Sequence, residues 1–299
     1  MKLAAIDIGS NAARLLITEV TPDENGGAIF DKMNLVRVPL RLGFDVFERG
    51  FISKPKIGMI LQTMKAYKHL CNAYNVSHIK ACATSAMRDA QNSLDIIRKV
   101  KLETAIEIEV ISGDFEAGLI YENHVAENMD KDHSYLYIDV GGGSTELSFF
   151  SNGILIYKKS FNIGTIRLLK NMVTDQDWDD MKEVLRTVIK GQKQVVAIGS
   201  GGNINKVFSM SKRKDGKPLP LELLRDYYKE LNSFNLPERI RKFALREDRA
   251  DVIVPALLIY INVMRWAGAE VIYVPKIGLA DGLINHLWEE LKKTNTLYA

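Results

Sequence analysis

Short runs rich in β-branched and aromatic residues recur along this chain, with stretches of helical periodicity between them. Strands are predicted over residues 3–8, 14–20, 28–38, 79–83, 106–111, 135–140, 145–150, 154–161, 194–198 and 271–274. Residues 56–75 carry apolar side chains at 57, 60, 61, 64, 67, 70, 71 and 74, the spacing of one helical face. The segment from 281 to the C-terminus repeats that spacing with Leu283, Ile284, Leu287, Trp288 and Leu291. Residues 249–266 are apolar almost all round, which predicts a helix buried on every side. Strands mixed with helices give an α/β fold. No Pro/Gly/Ser-rich linker divides the chain. Residues 211–220 are the most loop-like stretch; Lys212, Arg213, Lys214 and Lys217 make them either a solvated loop or a basic rim for an anionic ligand.

Composition narrows the function classes. The chain has 299 residues, which suggests about two domains and a core that needs no disulfide or metal. Lys and Arg number 40 against 37 Asp and Glu, so the net charge is +3 and a dedicated DNA binder is not expected. The strongly apolar run 252–264 contains Pro255 and reads as too short for a membrane span. No secretory signal is visible before the first strand. Cys71 and Cys82 form no CxxC pair and read as buried thiols of a cytoplasmic protein. The five histidines show no metal-ligand spacing, so a histidine-built metal site is not expected.

A weak repeat is visible. Ile6-Asp7-Ile8-Gly9-Ser10-Asn11 resembles Ile138-Asp139-Val140-Gly141-Gly142-Gly143, 132 residues later, and Leu15 falls on Leu147 at the same offset. This reads either as two related halves or as two unrelated hairpins with Gly-rich turns. Glycine turns let backbone N–H groups approach a phosphate closely. Candidates are Gly9, Ser10 and Asn11, then Gly141, Gly142, Gly143, Ser144 and Thr145, and a third turn with Gly201 and Gly202 ahead of a helix. Walker A and GxGxxG patterns are absent. Asp7 and Asp139 end apolar strands and could hold a hard cation or cap their own turns. Arg88, beyond Thr84 and Ser85 as N-cap candidates, could grip a phosphate or pair with Asp89 or Asp95. Glu116, where a strand gives way to a helix, could be a general base or a dipole-favoured acid.

Eight segments together resemble the exopolyphosphatase/guanosine pentaphosphate phosphohydrolase (Ppx/GppA) family. They are AAIDIGSNAARLLI (4–17), LRLGFDVFERGFIS (40–53), ATSAMRDAQN (83–92), ISGDFEAGLIY (111–121), IDVGGGSTELSFF (138–150), FNIGTIRLL (161–169), AIGSGGNI (197–204) and RADVIVPALLI (249–259). The resemblance implies two actin-like (RNase H-like) domains of the acetate/sugar kinase, Hsp70 and actin superfamily around an interdomain cleft. The boundaries drawn are 1–126 with 283–299, and 127–282. It implies cleavage of the terminal phosphoanhydride of polyphosphate or guanosine pentaphosphate, with Mg²⁺ or Mn²⁺ as cofactor. By motif, Asp7 and Asp139 are the metal acids, the first two glycine loops hold phosphate, Arg88 points to substrate and Glu116 is the base. Phe115 stands where the family's SGxEEA has its first Glu, Ala12 where Ser or Thr is usual, and residues 278–282 read GLADG where GLREG is common. A binding or sensor protein with weak turnover is the alternative. A homodimer is compatible with the resemblance. Longer relatives add a helical C-terminal region, so this short form is expected to prefer shorter polymers or nucleotides.

Overall fold

The computed structural model describes residues 1–23, 27–121, 132–275 and 277–294, without the side chains of 120 and 121. The chain divides into two units, Met1–Ser112 with Leu279–Ala299, and Gly113–Gly278.

The first unit contains β1 (Lys2–Ile8), β2 (Ala13–Pro22), β3 (Ala28–Val38), α1 (Leu42–Arg49), α2 (Lys54–Ala73), β4 (His78–Ala83), α3 (Ser85–Asp89), α4 (Ser93–Thr104) and β5 (Ile108–Val110). Its sheet runs β3-β2-β1-β4-β5. The β1–β2 and β2–β3 pairs are antiparallel, and β1–β4 and β4–β5 are parallel. Leu3 through Ile8 are all buried, as expected of a strand covered on both faces. One cover is the helix Leu279–Lys293, which packs on β1, β2 and β4.

The second unit contains α5 (Gly113–Tyr121), β6 (Ser134–Val140), β7 (Thr145–Ser151), β8 (Ile154–Phe161), α6 (Thr165–Leu169), α7 (Asp175–Ile189), β9 (Val195–Ser200), α8 (Gly202–Ser211), β10 (Leu219–Pro220), α9 (Leu221–Asn232), α10 (Leu236–Phe243), α11 (Glu247–Ala250), α12 (Ile253–Ala267) and β11 (Val271–Tyr273). Its sheet runs β10-β11-β9-β6-β7-β8. Read from the other edge, β8-β7-β6-β9-β11 repeats the order and directions of the first sheet, and β10 adds an antiparallel edge. Three antiparallel strands followed by two parallel ones is the RNase H-like order, so both units are of the actin-like α/β class. The weak repeat marks this shared topology. Gly9 N–H bonds Ala12 O at 3.0 Å, and Gly141 N–H bonds Ser144 O at 2.9 Å, closing equivalent turns.

Local chemistry explains several element ends. Thr174 and Asp177 cap α7 reciprocally, as Asn235 and Glu238 cap α10. Asn152 and Gly153, both at positive φ, make the two-residue turn between β7 and β8. The apolar segment expected over 249–266 is divided into α11 and α12 at Asp251 and Val252. Pro255 falls in the first turn of α12, where a missing N–H costs nothing. Glu247–Ala267 is long and apolar enough by composition to cross a membrane, longer than the 252–264 run suggested. Its apolarity has a local reason: Ile253, Leu257, Tyr260, Val263 and Met264 lie in the core of the second unit.

The units divide at 112/113 and 278/279, not at the boundaries drawn from sequence. Helix α5 packs on β7 and β8, which places Glu116 in the second unit. The helix Leu279–Lys293 is buried from its first residue and packs on β1, β2 and β4, so it joins the first unit whole. The expected crossing at 126/127 lies outside the described residues.

Candidate active site

In the first unit, Asp7 stands opposite Arg14 on β2 and Cys82 on β4. Its Oδ2 accepts from Arg14 at 3.2 Å. Burial raises the Asp7 pKa, and Arg14 opposes that shift only in part. The loop after β1 is held from two sides. Arg41 N–H donates to Asn11 O and Gly43 N–H to Ser10 O, both at 2.8 Å. A trans peptide points its N–H opposite to its C=O. The Asn11 and Ala12 N–H groups therefore point away from the start of α1, as an anion-facing turn requires. The Ser10 hydroxyl shares a buried 2.8 Å hydrogen bond with Ser85. Thr84 does occupy the N-cap of α3, but its side chain makes no cap bond. Arg88 donates to Ile111 O at 2.9 Å, fixing the chain leaving β5, and its guanidinium keeps four further N–H donors. Tyr67 donates to Ala13 O at 3.0 Å and pins the start of β2.

In the second unit, Asp139, Glu146 and Ser160 form a row across β6, β7 and β8. Ser160 donates to Glu146 Oε1 at 2.7 Å, and Glu146 is buried. The glycine turn after β6 is gripped by the segment after β8. Thr165 N–H donates to Gly141 O at 3.1 Å, Ile166 N–H to Gly142 O at 2.8 Å and Arg167 Nε to Gly143 O at 2.8 Å. By the same antiparallel peptide geometry, the N–H groups of Gly142, Gly143 and Ser144 point away from α6. A Cβ on Gly164 would lie 2.4 Å from the Gly143 carbonyl carbon, so only glycine lets this segment approach. Thr145 donates its hydroxyl to Ile163 O at 2.6 Å.

The third turn sits beside Asp139. Gly201 has φ 108°, and a Cβ there would lie 3.0 Å from Asp139 Oδ1 and 3.6 Å from the Tyr260 hydroxyl. Tyr260, buried in α12, donates to Ser200 O, and burial followed by the nearby Asp139 charge raises its pKa. A Cβ on Gly202 would lie 3.0 Å from both terminal nitrogens of Arg249. A guanidinium thus stands over the N-terminus of α8, a combination that favours an anion. The basic residues 212–217 follow the far end of α8, about 15 Å along its axis.

Glu116 lies in the first turn of α5 and is buried. Helix α5 begins on β8: a Cβ on Gly113 would sit 2.3 Å from Ser160 Cβ. Glu116, Asp139, the second glycine turn, Gly201 and Gly202 thus all belong to the second unit. Asp7, the first turn and Arg88 belong to the first. Sequence reading missed Arg14, Tyr67, Glu146, Ser160, Gly164, Arg249 and Tyr260. A signal existed for two of them: Arg14 and Glu146 are themselves 132 residues apart, each opposite a strand-end aspartate. Among the described residues no three His, Cys, Asp or Glu side chains form a metal-binding group. The opposed carboxylates of Asp139 and Glu146 are nonetheless hard oxygen donors of the kind Mg²⁺ or Mn²⁺ takes. Asp7 fits that role less well, because Arg14 already engages it.

A phosphatase of Fusobacterium nucleatum, described as a bifunctional 3-dehydroquinate synthase/phosphatase, is 30% identical over 91% of this chain. The chain spans 44% of that relative's length. Exopolyphosphatase 1 of Mycobacterium tuberculosis is 25% identical over 95% of this chain and 87% of its own. The crystal structure of an exopolyphosphatase from Cytophaga hutchinsonii superposes with a TM-score of 0.84 at 26% identity, covering 97% of this chain and 98% of that one. The Ppx/GppA phosphatase family matches residues 23–291. With nearly the whole length matched and the site motifs in place, the chain belongs to the Ppx/GppA phosphatase family.

Proposed function

We propose that this protein hydrolyses the terminal phosphoanhydride of inorganic polyphosphate or guanosine pentaphosphate. The observation that carries the reading is the buried Glu116 at the start of α5, packed on the strands that bear Glu146 and Ser160. Kinship with exopolyphosphatases supports the substrate class. Glu116 accepts a proton from water as the water oxygen bonds the terminal phosphorus. The bridging P–O bond breaks, and its electron pair stays on the shortened chain as orthophosphate leaves. Arg249 and the N–H groups of the second and third glycine turns neutralise the non-bridging oxygens. Asp139 and Glu146 would hold Mg²⁺ or Mn²⁺, which supplies further charge neutralisation on phosphate oxygens. Asp7 holds Arg14 beside the first turn.

The test is phosphate release from long polyphosphate, short polyphosphate, guanosine pentaphosphate and ATP, with each metal in turn. General-base catalysis is worth roughly 10²–10⁴-fold. Glu116→Gln should therefore lower kcat by about 10²-fold or more with little change in KM. Wild-type turnover in that variant would reject the base. Tight binding of guanosine pentaphosphate by calorimetry, with no phosphate released, would replace the reading with a sensor. Turnover of ATP alone would reject the substrate class.

A further inference from the structure

Ser160 has two contacts that no catalytic role accounts for. Its hydroxyl donates to the buried Glu146 carboxylate at 2.7 Å. Its Cβ occupies the space a side chain on Gly113 would need, 2.3 Å from that ideal Cβ position. Gly113 opens α5, and Glu116 follows within the first turn. Gly113 does not sit at positive φ, unlike Gly153 or Gly201. Its need for a bare Cα is therefore one of packing, not of backbone conformation. Glu146 in turn stands opposite Asp139.

We infer that Ser160 is a positioning residue: its Cβ sets where α5 begins, and its hydroxyl orients Glu146. One side chain thereby fixes the Glu116 carboxylate relative to the Asp139 and Glu146 pair. The inference rests on Glu116 being the base. A methyl on Gly113 must push the start of α5 off β8, because both nearest atoms belong to a short side chain anchored in the sheet. Misplacing a catalytic group by about 1 Å costs on the order of 10²-fold in rate. Binding of the polyanion, which uses other groups, should be spared.

The experiment is steady-state phosphate release from short polyphosphate, with melting temperatures recorded for every variant. Gly113→Ala should lower kcat at least tenfold and leave KM within about threefold. Ser160→Gly empties the contested space, so the double variant Gly113→Ala/Ser160→Gly should recover the kcat of Ser160→Gly alone, whichever single variant melts lower. Ser160→Ala keeps the Cβ and loses the hydroxyl, and should lower kcat by about three- to tenfold, the value of one hydrogen bond. In a Glu116→Gln background, Gly113→Ala should have no further effect on kcat, because both changes act through one carboxylate. Full activity in Gly113→Ala, absence of rescue by Ser160→Gly, or a multiplicative loss in the Glu116→Gln background would each overturn the inference and leave the base in place. Full activity in Glu116→Gln alone would overturn the base and the inference with it.

Discussion

Gly201→Ala tests the site geometry through backbone conformation and side-chain contact at once. Gly201 sits at φ 108° and ψ 157°, a backbone region that essentially only glycine occupies, at the junction of β9 and α8. Forcing a side chain into such a region costs about 1–3 kcal/mol. The new methyl would also lie 3.0 Å from Asp139 Oδ1 and 3.3 Å from Val140 O, closer than ordinary contact. Overpacking of that kind adds about 1–3 kcal/mol. Together the two terms come to roughly 2–6 kcal/mol, a fall in melting temperature of about 4–24 °C for a unit of this size. Gly153→Ala is the matched control. It has φ 76° and nothing within 4 Å, so backbone strain of about 1–2 kcal/mol is its whole effect. Calorimetric melting of both variants separates conformation from contact, and phosphate release at a permissive temperature reads the displaced Asp139. Gly201→Ala should melt below Gly153→Ala and lose activity, while Gly153→Ala keeps it. Equal melting temperatures with full activity in both would refute the argument.

Other outcomes are open to measurement. Tyr260→Phe removes the donor to Ser200 O in a fully buried setting, so the urea midpoint should fall by the equivalent of about 1–3 kcal/mol; an unchanged midpoint would mean the bond is replaced. Asp7 has a raised pKa in the folded protein, chiefly from burial, so its stabilising contribution is complete below about 3.8 and is lost as pH rises through the folded value. Asp7→Asn should therefore gain stability over the parent at pH 7.5, with the gap closing toward pH 4 in urea titrations; a less stable variant at pH 7.5 would contradict this. Cys71 and Cys82 are buried, and burial raises the Cys71 thiol pKa, so a thiol reagent should label neither until denaturant is added.

Much of the fold was legible in local pattern. The strands 28–38 and 154–161 fall where the β-rich runs put them, the second entered through an Asn-Gly turn whose backbone demands those residues. The offset of 132 residues was legible as well, and it marks two sheets of one topology. Glycine turns and strand-end aspartates could be named because their conformational requirements are properties of single residues. Ser160 could not, since it is an ordinary serine until the sheet brings it to Glu146, and Ser85, named only as an N-cap candidate, proves to bond Ser10 instead. Arg249 and Tyr260 lie in a segment that reads as core, yet one guanidinium stands over Gly202 and one hydroxyl reaches Ser200. Sequence by itself determined which residues can turn, alternate or cap, because those preferences act within a few bonds. Tertiary structure alone decided which polar groups meet. The identity of a hydrogen-bonding or steric partner depends on sheet register and helix packing across long stretches of chain, where local periodicity carries no information.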